Sequence, residues 1–390
     1  MRAILILSLA ACAQPAVVAD DLTDLPLSGL SEDWRARFDE GDRLFEVPFT
    51  ERDGLGPLFI RPSCAACHEG GGKGPGFVEK LAQVDGDGTP VPGQPELRLG
   101  HTVRRMTTAG ATVPLDGAAG LLRSTRVGQT VWAAGAIEAV DEAELGRLER
   151  EQASGIDGVS GRRNLVVFAS EHSADLTFHQ HRRGETVVGR FGVKARVATL
   201  DDFAADAFQG DMGLTSPLRP TEPPNPEALV DDSRPGIDLE LETVAAVADY
   251  LRLLRFPARR AAPVGAPRLF EATGCASCHV PSLRTRADYP VAQRAGTRVA
   301  VYTDVLLHDL GPTFADGLTD GSATSSEFRT APLVGLRFLK SFLHDGRATS
   351  LDEAIRLHGG PGSEARASVH HYEQLSDVER KTLLTFLETL

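Results

Sequence analysis

The sequence predicts a mainly α fold in two domains, on three features of the chain. Leucines and valines recur at helical spacing in several stretches, few runs alternate with period two, and one five-residue pattern occurs once in each half. That pattern is Cys64-Ala65-Ala66-Cys67-His68 and Cys275-Ala276-Ser277-Cys278-His279. Each copy is C-x-x-C-H, the attachment sequence for c-type haem. Two cysteines three apart on one turn can form thioethers to both vinyl groups of a porphyrin, and the next histidine is held against the iron as its proximal ligand. Structural zinc is the competing reading, but its ligand pairs recur within roughly 12–20 residues and need no histidine directly after each pair. A thioredoxin-type C-x-x-C pair does not need that histidine either. Two covalent haem c groups on two cytochrome c-like domains are therefore expected. Cys64, Cys67, Cys275 and Cys278 would be the attachment points, and His68 and His279 the proximal iron ligands.

Taken in order, the chain opens with an export leader over residues 1–19. Arg2 precedes an apolar run, Ile4 to Leu9, that is too short to span a bilayer. Two cleavage positions compete. Leu9-Ala10-Ala11-Cys12 resembles a lipoprotein box, which would make a lipidated Cys12 the membrane anchor, and Val17-Val18-Ala19 suits a conventional signal peptidase before Asp20. Cys12 is the one cysteine of five left over by the two motifs. Either reading places the mature protein in the periplasm, on the outer membrane in the lipoprotein case.

An N-terminal haem domain is expected over 20–216, with Leu58 and Phe59 as an apolar pair ahead of the first motif. Asp85-Gly86-Asp87-Gly88-Thr89 has the start of a calcium loop without the later acidic ligands of an EF-hand. A turn is the better reading, and a structural calcium stays compatible with it. Pro217, Pro220, Pro223, Pro224, Pro226 and Pro235 mark a linker over 217–236, because proline at that density continues neither a helix nor a central strand.

The C-terminal haem domain, 237–390, opens with a helix: Leu239, Leu241, Val244, Val247, Leu251 and Leu254 share a face, and Pro257 stops the run. Leu269 and Phe270 lead through Gly274 into the second motif, and Ser376 with Glu379 forms a capping box ahead of a last helix. Phe191 to Asp202 and Phe342 to Glu353 echo one another, ending Thr199-Leu200-Asp201-Asp202 and Ser350-Leu351-Asp352-Glu353, which points to duplication. An apolar content of 42% with 6% aromatics suits an ordinary soluble protein. The net charge of −13 and the lack of any basic run exclude a nucleic-acid partner. An acidic surface suits steering of a small basic redox protein.

Ordered segments from about residue 55 onward carry a family resemblance. They include Gly155 to Arg162, Gly189-Arg190-Phe191-Gly192, Asp211-Met212-Gly213-Leu214-Thr215-Ser216, Leu306 to Gly311, Phe342 to Ala348 and His358-Gly359-Gly360. In these the chain resembles the bacterial di-haem oxidoreductases known as thiol oxidoreductases with two cytochrome c haem sites, relatives of the di-haem cytochrome c peroxidases and of MauG-like enzymes. The resemblance implies a division of labour: the C-terminal haem accepts electrons and the N-terminal haem, with an open distal position, reduces peroxide or acts on a protein substrate. It also implies that Asp211, standing where the peroxidases keep a carboxylate, moves a proton during O–O cleavage. An aspartate there equally suits a helix cap.

Two departures matter. Val193 replaces the Trp usual after Gly-Arg-Phe-Gly, and Phe203 replaces the usual Gln ahead of Asp-Met-Gly, which should dry the peroxide pocket. His358 and His308 are candidates for the second axial ligand at the C-terminal iron. Glu327 stands where the peroxidases place a ligating Met, and Met212 and Met106 are more typical of core than of ligands. A di-haem oxidoreductase is thus the leading function, with an electron-transfer cytochrome lacking its own substrate as the alternative. Thiol chemistry would require motif cysteines free of thioethers.

Overall fold

A computed structural model describes residues 23–71, 76–87, 89–91, 97, 100–108, 120–155, 158–172, 177–224 and 236–390. The leader, Cys12 and residues 225–235 of the proline-rich segment lie outside these. Among the described residues the helices are α1 (Glu32–Glu46), α2 (Ala134–Ala139), α3 (Glu142–Gln152), α4 (Leu200–Ala207), α5 (Leu241–Leu253), α6 (Ala266–Ala272), α7 (Leu351–Leu357), α8 (Arg366–Glu373) and α9 (Asp377–Thr389). They are the larger elements, as expected. Between them lie five small antiparallel sheets that the sparse period-two signal did not predict. Strands β1 (Leu58–Phe59) and β3 (Met106–Thr107) pair, as do the longer β2 (Phe77–Gln83) and β4 (Leu121–Val127). The other pairs are β5 (Leu165–Val167) with β6 (Thr186–Val188), β7 (Leu283–Arg284) with β8 (Arg298–Val299), and β9 (Leu307–Asp309) with β10 (Glu327–Arg329).

Helix α1 starts where the Ser31 side chain accepts from the Trp34 amide, with Glu32 and Asp33 complementing the positive end of the helix. It buries Phe38, Gly41, Leu44 and Phe45 against α5. The crossing is close because residue 41 is glycine: a Cβ there would lie 2.1 Å from the Ala246 carbonyl oxygen. Helices α1, α2, α4 and α5 share the main core, which also takes in Leu283, Tyr289, Val291 and Val299. A second core joins Ala266 and Phe270 of α6, Tyr372 of α8 and Leu383, Phe386 and Leu387 of α9. The Ser376–Glu379 capping box opens α9 as the sequence indicates.

The placement of α5 departs from expectation. Helix α5 begins at Leu241 within the run expected to open the second domain, but its apolar face completes the first core. Periodicity shows that a helix buries one face and is silent about which partner receives it. The described residues that flank the proline-rich segment 217–236 lie side by side. Its ends meet, since the Thr215 amide and hydroxyl both donate to Asp238 (2.7 Å each) and the Leu239 amide donates to the Thr215 carbonyl (3.0 Å), and Leu218 inserts into the core. Leu58 and Phe59, the apolar pair ahead of the first motif, form a short strand and are buried.

The internal echo extends to backbone detail. Phe191 bridges Val197 as Phe342 bridges Ala348. Left-handed residues fall at matching places, Gly192 and Ala195 in one copy and Leu343 and Gly346 in the other. Thr199 caps α4 by accepting from Asp202, and Ser350 caps α7 by accepting from Glu353. At this constant offset Leu200 matches Leu351, and Ala207 matches His358.

Candidate cofactor sites

Each C-x-x-C-H pattern closes one helical turn: the His68 amide donates to the Cys64 carbonyl and the His279 amide to the Cys275 carbonyl, both at 2.9 Å. The first motif hangs from the end of α1, through the Ala65 amide on the Phe45 carbonyl (3.0 Å). The second follows α6 through Gly274, whose φ of +82° makes the reversal. None of the four cysteines is in a disulfide. Burial, followed by the charges of neighbouring Cys67 and Asp211, pushes the Cys64 thiol up to about 12, and burial pushes Cys67 to about 11. Thiols held this far from ionisation are poor nucleophiles, so the geometry does not favour free-thiol redox chemistry.

The second motif faces a cavity of about 1650 Å³, solvent at its mouth included. Val193, Phe314, Phe328, Leu336 and Leu339 supply an apolar lining of the kind a porphyrin face requires. Burial lowers the His279 imidazole to about 4, and its Nδ1 is 3.1 Å from the Tyr302 carbonyl. An Nδ1–H donated there leaves the Nε2 lone pair for iron. Tyr302 presents that carbonyl from a left-handed conformation, φ +50°. The residues present thus fit a haem.

His358 lines the same cavity from the end of α7. Its Nδ1 lies 2.7 Å from the Ala354 carbonyl and burial lowers its pKa, so a neutral ring keeps Nε2 free. His308 does not have this freedom. Its Nδ1 meets Glu364 at 2.7 Å and its Nε2 meets Asp304 at 2.9 Å. Despite the opposing effect of burial, Asp304 and Cys278 hold its pKa well above the usual range. With both ring nitrogens engaged by carboxylates, His308 is less well placed than His358 to offer a lone pair to iron. The two carboxylates responsible are invisible to motif reading because Glu364 is remote in sequence. His344 also lines the cavity, stacked on Phe328 at 4.2 Å.

Around the first motif the close approaches are made by glycine. A Cβ on Gly76 would lie 2.5 Å from the Cys67 sulfur, and one on Gly128 would lie 3.2 Å from His68 Cε1. Asp211 sits on a π-helical turn, Phe208–Met212, that extends α4. Such turns recur at functional sites. The Ile60 amide donates to the Asp211 carbonyl at 2.7 Å, which fixes the turn four residues ahead of Cys64. The carboxylate is near enough to raise both Cys64 and Cys67. Burial, then Asp206, raises the Asp211 pKa against the opposing charges of Lys80, Arg196 and Arg104. A carboxyl held protonated above its ordinary range can donate a proton. Phe203 stacks on Phe191 at 5.6 Å and supplies the apolar ring its sequence position implied.

Met212 is buried in the core, and Met106 is exposed with its sulfur 3.8 Å from an Arg61 nitrogen. Asp85 closes its own turn, its side chain accepting from the Asp87 (3.0 Å) and Thr89 (2.9 Å) amides, in keeping with the turn reading of this segment. No helix among the described residues is long and apolar enough to cross a membrane.

A family described as "Di-haem oxidoreductase, putative peroxidase" matches residues 118–390, a span that begins beyond the first motif. No curated protein matches the chain. Among solved structures, a MauG-like protein associated with microbial copper homeostasis is 17% identical, with 94% of this chain and 91% of that chain covered, at a TM-score of 0.42. The diheme peroxidase BthA from Burkholderia thailandensis E264 is 15% identical, with 91% and 86% covered, at 0.41. Kuenenia stuttgartiensis hydrazine synthase is 14% identical, with 100% of each chain covered, at 0.34.

Proposed function

The chain belongs to the di-haem oxidoreductase family, and on that premise we propose an exported enzyme with two covalent haem c groups, one closed and one open to substrate. Haem at these motifs supplies one-electron redox chemistry and, where iron keeps a free position, reduction of a peroxide. His279 and His358 would hold the C-terminal iron, each ring fixed by its Nδ1 on a backbone carbonyl. His68 would hold the N-terminal iron. The observation that supports an open site there is the internal repeat: Ala207, with a methyl group and no donor, stands where the other copy has His358.

Asp211, one turn beyond Ala207, would hold the proton that the leaving oxygen of a peroxide requires. Its raised pKa keeps that proton available at higher pH than an ordinary aspartate allows. Phe203 and Phe191 exclude water from the approach. Electrons would enter at the C-terminal site from a small redox protein and pass to the N-terminal site. Cys12 lipidation would tether the protein to the outer membrane.

The test is steady-state consumption of hydrogen peroxide by the di-haem protein with a reduced small cytochrome as donor. Turnover that falls about 10²–10⁴-fold in Asp211→Asn supports the reading. No turnover in the wild type, with both irons six-coordinate, returns the electron-transfer cytochrome.

A further inference from the structure

We propose that Lys194 raises the reduction potential of the C-terminal site, its buried ammonium acting as a fixed positive charge behind the cavity wall. The inference rests on the two-site reading above. Lys194 is 0% exposed. Its Nζ donates to the carbonyls of Thr324 (2.8 Å), Ser325 (3.0 Å) and Glu327 (2.8 Å), so three oxygens take up its three protons. It also lies 3.3 Å from Asp316 Oδ1 and 3.9 Å from the centroid of the Phe328 ring. Phe328 lines the C-terminal cavity, as does Val193, the residue before the lysine. The ammonium thus rests on a ring that is itself cavity wall.

Packing alone does not select an ammonium at this position. Burying a charge costs more than burying an apolar chain of the same length, even when the charge is paired. Burial lowers the Lys194 pKa to about 8 against the pull of Asp316, so at pH 7 the amine still carries its proton. Asp316 is shared with Arg126, which meets it at 2.7 Å and holds Asp320 at 3.1 Å. The four charges sum to zero, so their effect on the cavity depends on where each one stands. Lys194 is the member set against the Phe328 ring.

The sign of the effect follows from electrostatics. A positive charge in a poorly screened interior favours iron that has gained an electron over iron that has not, which raises the potential. A site that takes electrons from a donor protein gains by such a charge. The lysine itself gains and loses nothing in the transfer. It acts on the iron through space and is a positioning residue for charge, with no contact to the reacting atoms.

The test is a spectroelectrochemical titration of the di-haem protein at pH 7, without peroxide. Lys194→Gln keeps two N–H donors for the carbonyls and removes the charge, whereas Lys194→Met fills the space with neither. The C-terminal haem is identified as the one missing from a Cys275→Ala/Cys278→Ala protein. Its potential is expected to fall by about 59 mV in Lys194→Gln, a tenfold change in the one-electron equilibrium, and by a similar amount in Lys194→Met. The N-terminal potential and both haem spectra should stay as in the wild type, which a merely structural role would not predict. Should the Met variant fail to fold, the Gln variant alone decides. An unchanged C-terminal potential in Lys194→Gln overturns the proposal, and so does an equal fall at both haems. A wild type inert to peroxide in which Lys194→Gln still lowers that one potential would sink the peroxidase reading and leave the role of Lys194 standing.

Discussion

Single residues decide whether the two motifs are equivalent. His358 is expected to close the C-terminal iron, so His358→Ala should make that haem five-coordinate and reactive to carbon monoxide, whereas His358→Met should leave it six-coordinate. Ligand-binding spectra of the reduced protein check this. Asp211 belongs to the same scale. Its raised pKa means the protonated, donating form persists above the ordinary aspartate range and is lost as pH rises through the folded-state value. Peroxide turnover should therefore fall on the alkaline side, and Asp211→Asn should abolish that limb of the profile together with the rate. The two motifs were legible because C-x-x-C-H is a local pattern. The clamp of His308 by Asp304 and Glu364 was not, since nothing local in a sequence pairs a histidine with a carboxylate 56 positions away.

Elements show what periodicity and capping can and cannot reveal. Helices α5 and α9 were readable because their apolar residues recur at helical spacing and an end of each carries a recognisable stop or cap. The β2–β4 hairpin was not, because its polar residues Lys80, Arg123 and Arg126 interrupt the alternation and its two strands are joined through a long excursion. The repeated caps at Thr199 and Ser350 fall in register with the bridges Phe191–Val197 and Phe342–Ala348, so the echo is structural as well as sequential. Thr199→Ala and Ser350→Ala should each cost about 1 kcal/mol of stability in chemical denaturation. The first should also depress peroxide turnover, because α4 carries the Asp211 turn.

At the scale of the whole molecule, the core is organised around a buried charge cluster that composition alone could not place. Arg252, wholly buried, reaches Glu138 (2.7 Å), Asp201 (2.5 Å) and Asp249 (3.0 Å), joining α2, α4 and α5. This network also explains why α5 belongs with the first core. Removing the guanidinium in Arg252→Ala should destabilise the fold by about 3–5 kcal/mol, since it strands buried carboxylates.

Burial, with the charges of Glu138 and Asp249 and against that of Arg252, pushes Asp201 up to about 6. Its folded pKa lies above its unfolded value, so the folded state binds more protons between about pH 4 and 6, and stability falls as pH rises through that window. Denaturation curves across it should show the wild type losing about 1–3 kcal/mol relative to Asp201→Asn. A flat difference would mean that Asp201 is ionised throughout.

The inequality of the two iron sites is tested most directly by cyanide titration of the fully oxidised di-haem protein, read by electron paramagnetic resonance. One cyanide adduct per chain, rising to two in His358→Ala, is the predicted result. Two adducts in the wild type, or none, would contradict a site closed by His358 beside a site left open at Ala207.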